Sequence, residues 1–101
     1  MPQLSNFLGN DGSRHFLSLE ESRSWSDVRD YVSLLPGAVV TGFITDDVTE
    51  AWIDFTWSGH EFTINNQFGE YWFIVNDPAC PEPLLMSVAL HFEKLLQPSA
   101  R

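Results

Sequence analysis

Three histidines, one cysteine and a cluster of carboxylates are the residues of this chain with chemistry to offer. His15, His60 and His91 fall in three separate stretches, and no two stand at the spacing of metal ligands on one element. There is no His-Glu-x-x-His for a zinc protease, no Cys-x-x-Cys, and no Gly-x-Ser-x-Gly nucleophile elbow. His60 sits beside Glu61 at what reads as a hairpin tip, where an imidazole is simply solvated. Cys80, between Ala79 and Pro81, stands just before an expected helix. A helix N-terminus stabilises a thiolate, but no histidine is near in sequence to serve as its base. The plainer reading is a buried structural thiol. Asp46, Asp47, Glu50 and Asp54 lack the Asp-x-Asp-x-Asp-Gly order of a calcium loop, so for metals they read as a solvated turn. The six glycines are scattered and build no phosphate cradle. The expectation is a chain with no catalytic residue, no metal and no cofactor, and hence not an enzyme.

These side chains must be positioned by short elements. Asn10-Asp11-Gly12 is a turn signal, separating an apolar patch (Leu4, Phe7, Leu8) from a short strand over His15 to Leu19. Ser24 to Leu35 predicts a helix, with Ser24 as N-cap, Asp27 three residues on, and Trp25, Val28, Val32 and Leu35 on one face. Pro36-Gly37 stops it. The period then becomes two. Ala38 to Thr45 is β-branched and apolar, Asp46-Asp47 turns the chain, and Ala51 to Trp57 alternates. Ser58-Gly59 as a two-residue loop pairs Phe55 with Phe62 and Ile53 with Ile64 on one face. The other face then carries Trp52 opposite Asn65, Asp54 opposite Thr63, and Thr56 opposite Glu61. Tyr71 to Val75 is apolar at every position, as suits a central strand covered on both sides. Glu82 to Gln97 predicts a final helix, with Pro83 tolerated in its first turn and Pro98 closing it. The expected architecture is α+β, a two-layer sandwich of a four-stranded antiparallel sheet with two helices on one face. Residues 1–13 serve as a loose arm or as extra N-terminal strand.

Fourteen Asp and Glu against five Lys and Arg leave a net charge of -9. The distribution says more than the sum. From Tyr31 to Glu93 there are nine acids and no Lys or Arg. Such a field repels phosphate backbones and anionic lipid and attracts a basic protein. Against this stands the plain reading that acidity keeps a protein dissolved. Eight of the fourteen aromatics lie between Trp52 and Phe73, and most must be core. Trp52, however, is out of phase with its strand's apolar positions, and Phe68 stands in a polar loop. An indole among charges is typical of interface anchors, unless a second layer covers that face.

With 101 residues the chain is one domain, 1–101, and no apolar run reaches the ~18 residues of a membrane span. The N-terminus shows no secretory pattern and the lone cysteine fits a reducing compartment, so a cytoplasmic protein is expected. In size, acidity, absence of a catalytic motif and single free cysteine, the chain resembles the small acidic cytoplasmic immunity proteins of bacterial toxin systems. The resemblance implies tight binding to a toxin domain, with Asp46, Asp47, Glu50, Trp52, Asp54 and Glu61 as the contacts. Other classes stay open: a nucleic-acid mimic that sets carboxylates in place of phosphates, a small ligand-binding domain with an aromatic pocket, a subunit of a larger assembly, or a homodimer.

Overall fold

The structure, a computed structural model, describes residues 4–9, 11–21, 23–45, 51–67 and 69–96. Its strands are β1 (Phe7–Leu8), β2 (Arg14–Glu20), β3 (Val39–Thr45), β4 (Ala51–Trp57), β5 (His60–Gln67) and β6 (Glu70–Val75). Helix α1 (Trp25–Val32) lies between β2 and β3, and α2 (Glu82–Glu93) closes the chain. All six strands form one antiparallel sheet in the order β1-β2-β6-β5-β4-β3.

This corrects the expected four-stranded sheet. Strand β2 pairs with β6 from Arg14 opposite Val75 to Glu20 opposite Glu70, and Phe7 and Leu8 pair in turn with His15 and Arg14. The physical reason lies in β6 itself. A strand with no polar residue from Tyr71 to Val75 is unsuited to an edge, where its backbone would face water. The supply of Phe16, Leu17 and Leu19 to the core makes β2 its natural neighbour. A bulge between His15 and Leu17 lets Phe16 turn inward beside them, with its ring against those of Phe62 and Phe73.

The β4–β5 hairpin has the register that alternation predicts: Phe55 faces Phe62, Ile53 faces Ile64 and Trp52 faces Asn65. Ser58 and Gly59 both take positive φ, 52° and 79°, the left-handed pair that matches the twist of a two-residue hairpin. Inward-facing Ile53, Phe55, Phe62, Ile64, Tyr71, Phe73 and Val75 form the floor of the core, with Val28 and Val32 of α1 and Leu85, Val88, Ala89 and Phe92 of α2 above it. Both helices therefore cover one face. Ser24 caps α1, its hydroxyl accepting the Asp27 N–H at 3.1 Å. The helix ends at Val32 rather than Leu35, the chain tightening through Leu34 N–H to Tyr31 carbonyl and Leu35 N–H to Val32 carbonyl bonds. Helix α2 ends at Glu93, short of the expected Gln97, as Leu95 N–H turns to the Phe92 carbonyl. The His91 ring, stacked on Tyr31 with its Nε2–H donating to the Tyr31 carbonyl at 2.8 Å, ties the two helices together.

Candidate functional site

Since both helices pack on one side, the opposite side of the sheet carries no second layer among the described residues. The alternation of the strands decides what it shows. Two rows of cross-strand neighbours run over it. One reads Ile44, Trp52, Asn65, Trp72, Ser18; the next reads Gly42, Asp54, Thr63, Ile74, His15, Phe7. Of the residues that the sequence nominates as contacts, Trp52, Asp54 and Glu61 share this face. Asp46, Asp47 and Glu50 lie outside the described residues.

Asp54 and Glu61 come together. With Thr41, Thr63 and Asn76 they line a polar cavity of about 280 Å³. Thr63 Oγ1 donates to Asp54 Oδ1 at 2.7 Å, and Asn76 Nδ2 donates to Glu61 Oε2 at 3.4 Å. Asp54 Oδ2 leans the other way, toward β3, where a Cβ built on Gly42 would stand 3.2 Å from it. Trp52, half-buried, lies between Ile44 and Asn65, and the Asn65 Oδ1 beside it is buried without a donor among the described residues. A cavity with two carboxylates and two hydroxyls suits an ammonium or guanidinium group, and the flanking indole suits its aliphatic stem or a neighbouring apolar side chain.

Sequence reasoning missed the other half of the face. Trp72 and Ile74 belong to the strand expected to be covered on both sides; instead one of its sides is free of helices and both residues are half-buried. With Phe7, Leu8, Ser13 and His15 they line an apolar groove of about 500 Å³. The His15 ring stacks on Trp72 with centroids 4.2 Å apart, and Phe7 lies 5.8 Å from it on the far side. His15 Nε2–H is shared between the Leu17 carbonyl at 3.1 Å and Ser18 Oγ at 2.9 Å. Loss of hydration in this setting pushes its pKa down from the usual 6.5, and the Leu17 carbonyl and the Glu70 carboxylate pull the other way. Trp72 Nε1 donates to Glu70 Oε1 at 3.3 Å. The available signal was the even phase: Trp72 and Ile74 share parity with Glu70, whose carboxylate marks the helix-free side.

The described bases keep to one side while the acids lie on both, Asp27, Asp30, Glu82 and Glu93 being on the helices. Asp54, Glu61, Glu70 and Glu20 share the helix-free face by register. Every described Arg or Lys is on the helical side or its flank. Arg14 turns inward, its guanidinium donating to the Ser5 carbonyl at 3.0 Å and to Glu82 at 3.2 Å. Arg23 precedes the α1 cap and its carbonyl accepts from the Tyr71 hydroxyl. Arg29 lies over the Phe43 ring, 4.9 Å from its centroid, and bonds Asp30. Lys94 caps α2.

The histidines do not converge: His15 is on the open face, His60 at the β4–β5 turn and His91 between the helices. Cys80 is buried, and burial together with Asp77 pushes its thiol pKa up, against the small opposing pull of Arg14. Among the described residues no three of His, Cys, Asp and Glu are grouped to hold a metal ion, and no helix is long and apolar enough to cross a membrane. No protein-family model matches the chain, and neither a curated protein nor a solved structure matches it.

Proposed function

We propose that this protein is a non-enzymatic binding module whose helix-free sheet face docks on a basic protein and blocks it, in the manner of an immunity protein neutralising a toxin enzyme. One observation carries the reading: Trp52, Asp54 and Glu61 share a face without helices, while the described Arg and Lys residues are kept off it. A cation of the partner enters the cavity between Asp54 and Glu61, and Trp52 packs against its neighbour. A nucleic-acid mimic would present an uninterrupted line of acids; here indoles and an isoleucine separate them, which favours a protein surface.

The test is co-purification from the native host with the intact chain as bait, followed by titration of the captured protein. The expected partner is basic and carries an exposed Lys or Arg at its contact surface. Asp54→Asn with Glu61→Gln should release it, and Trp52→Ala should weaken it by about 2 kcal/mol. Circular dichroism should show each variant folded. A partner held equally well by all these variants would refute the reading. A second reading, a small-ligand domain, is favoured by the groove beside His15 and Trp72. It predicts a ligand-dependent shift of the Trp72 indole signal with no protein captured.

A further inference from the structure

Strand β3 is one end of the sheet, and no described strand pairs with its outer side. Such an edge offers a row of backbone donors and acceptors to another extended chain, and proteins commonly protect it with lysine or proline. From Val39 to Thr45 this strand has neither, and no charged residue at all. Val39 and Ile44 are 58% and 49% exposed on it. Its one irregularity, a bulge at Thr41 between Val40 and Gly42, leaves Gly42 to Thr45 in regular pairing with β4.

Gly42 then has a particular effect. It stands directly opposite Asp54, and having no side chain it leaves open the space into which Asp54 Oδ2 leans. Thr63 holds the other carboxylate oxygen, so Oδ2 has no hydrogen-bond donor among the described residues. The next strand position beyond β3 lies about 4.8 Å from Gly42. A lysine or arginine placed there, on the open face, spans that gap with its side chain.

We propose that β3 is an acceptor edge: an extended segment of a protein partner adds to the sheet along Gly42–Thr45 and sets a lysine or arginine opposite Gly42, where its cation meets Asp54 Oδ2. Backbone bonds supply the attachment and the glycine gap supplies selectivity for a basic residue. This deepens the basic-partner reading and rests on it. A second copy of this chain is a poor occupant, because it would bring another charge of -9 to the same edge.

The test uses the full chain, isotope-labelled, with two short capped peptides that alternate threonine and valine around a central arginine or a central glutamate. The arginine peptide should slow amide hydrogen exchange within Val39–Thr45 and bind at least about tenfold more tightly than the glutamate peptide, as one charge-assisted bond allows. Asp54→Asn should erase that difference. Gly42→Val, which fills the gap, should abolish the preference while leaving the circular dichroism spectrum intact. Should that variant not fold, the Asp54→Asn comparison carries the test alone. Arginine-peptide binding that shifts the Trp52 and Trp72 indoles without protecting β3 overturns the edge and leaves the basic-partner reading standing. Equal binding of both peptides at β3 overturns the charge selectivity and weakens that reading as well. No binding of either peptide at millimolar concentration overturns the edge, as does protection of β3 by self-association alone.

Discussion

Single side chains on this sheet are set by what neighbours them across the strands more than by their own type. His15 is the clearest case. Its folded-state pKa is depressed by loss of hydration, so the unfolded chain takes up a proton more readily. The contribution to stability is complete above the unfolded value near 6.5 and is lost as pH falls from there toward the folded pKa. Melting temperature followed between about pH 7 and pH 5 should fall, and His15→Gln should flatten that part of the curve. Cys80 behaves in the opposite sense to an activated thiol, since burial and Asp77 raise its pKa. Labelling by a maleimide or aromatic disulfide at neutral pH should be much slower than for a free cysteine and should accelerate on addition of denaturant. Rapid labelling of the native protein would refute this.

Elements show where sequence patterns are informative and where they are not. The β4–β5 hairpin was legible because everything that determines it is local: a two-residue turn and strict alternation on both arms. That alternation also exposed Trp52, the one apolar residue out of phase, and placed Asp54 and Glu61 on its face. The pairing of β2 with β6 was not legible, because it joins segments about fifty to sixty residues apart and no local pattern names the partner. With it went His15, Trp72 and Phe7, the groove half of the open face. In β6, apolar residues at consecutive positions hide which side the helices leave free. Helix α2 was recognisable by its apolar positions, and its central contact is Phe92, fully buried against Phe73 at 4.9 Å, Tyr31 at 5.9 Å and Phe55 at 6.3 Å between ring centroids. Phe92→Ala should destabilise the fold by about 3–5 kcal/mol, read as a drop of more than about 10 °C in melting temperature. A smaller loss would mean that α2 is not seated on the sheet as described.

At the scale of the whole molecule, composition predicted acidity, and the fold decides where it points. Carboxylates of Glu20, Asp54, Glu61 and Glu70 fall on the helix-free side, while Arg14, Arg23, Arg29 and Lys94 are kept to the other side or turned inward. Association with a basic partner should therefore slow steeply as salt is raised from about 0.05 to 0.5 M, with dissociation little changed. Stopped-flow mixing measures the two rates separately, and an association rate indifferent to salt would argue against steering. The confinement of the described bases to one side has one more effect. Over the helices Asp27, Asp30, Glu82 and Glu93 are interspersed with those bases and their pull on a cation is partly cancelled, whereas over the sheet it is unopposed by any described base. Within about a Debye length a positively charged body drifting over the surface is therefore drawn toward the sheet. A larger share of random collisions then begins face to face, with the indoles already leading.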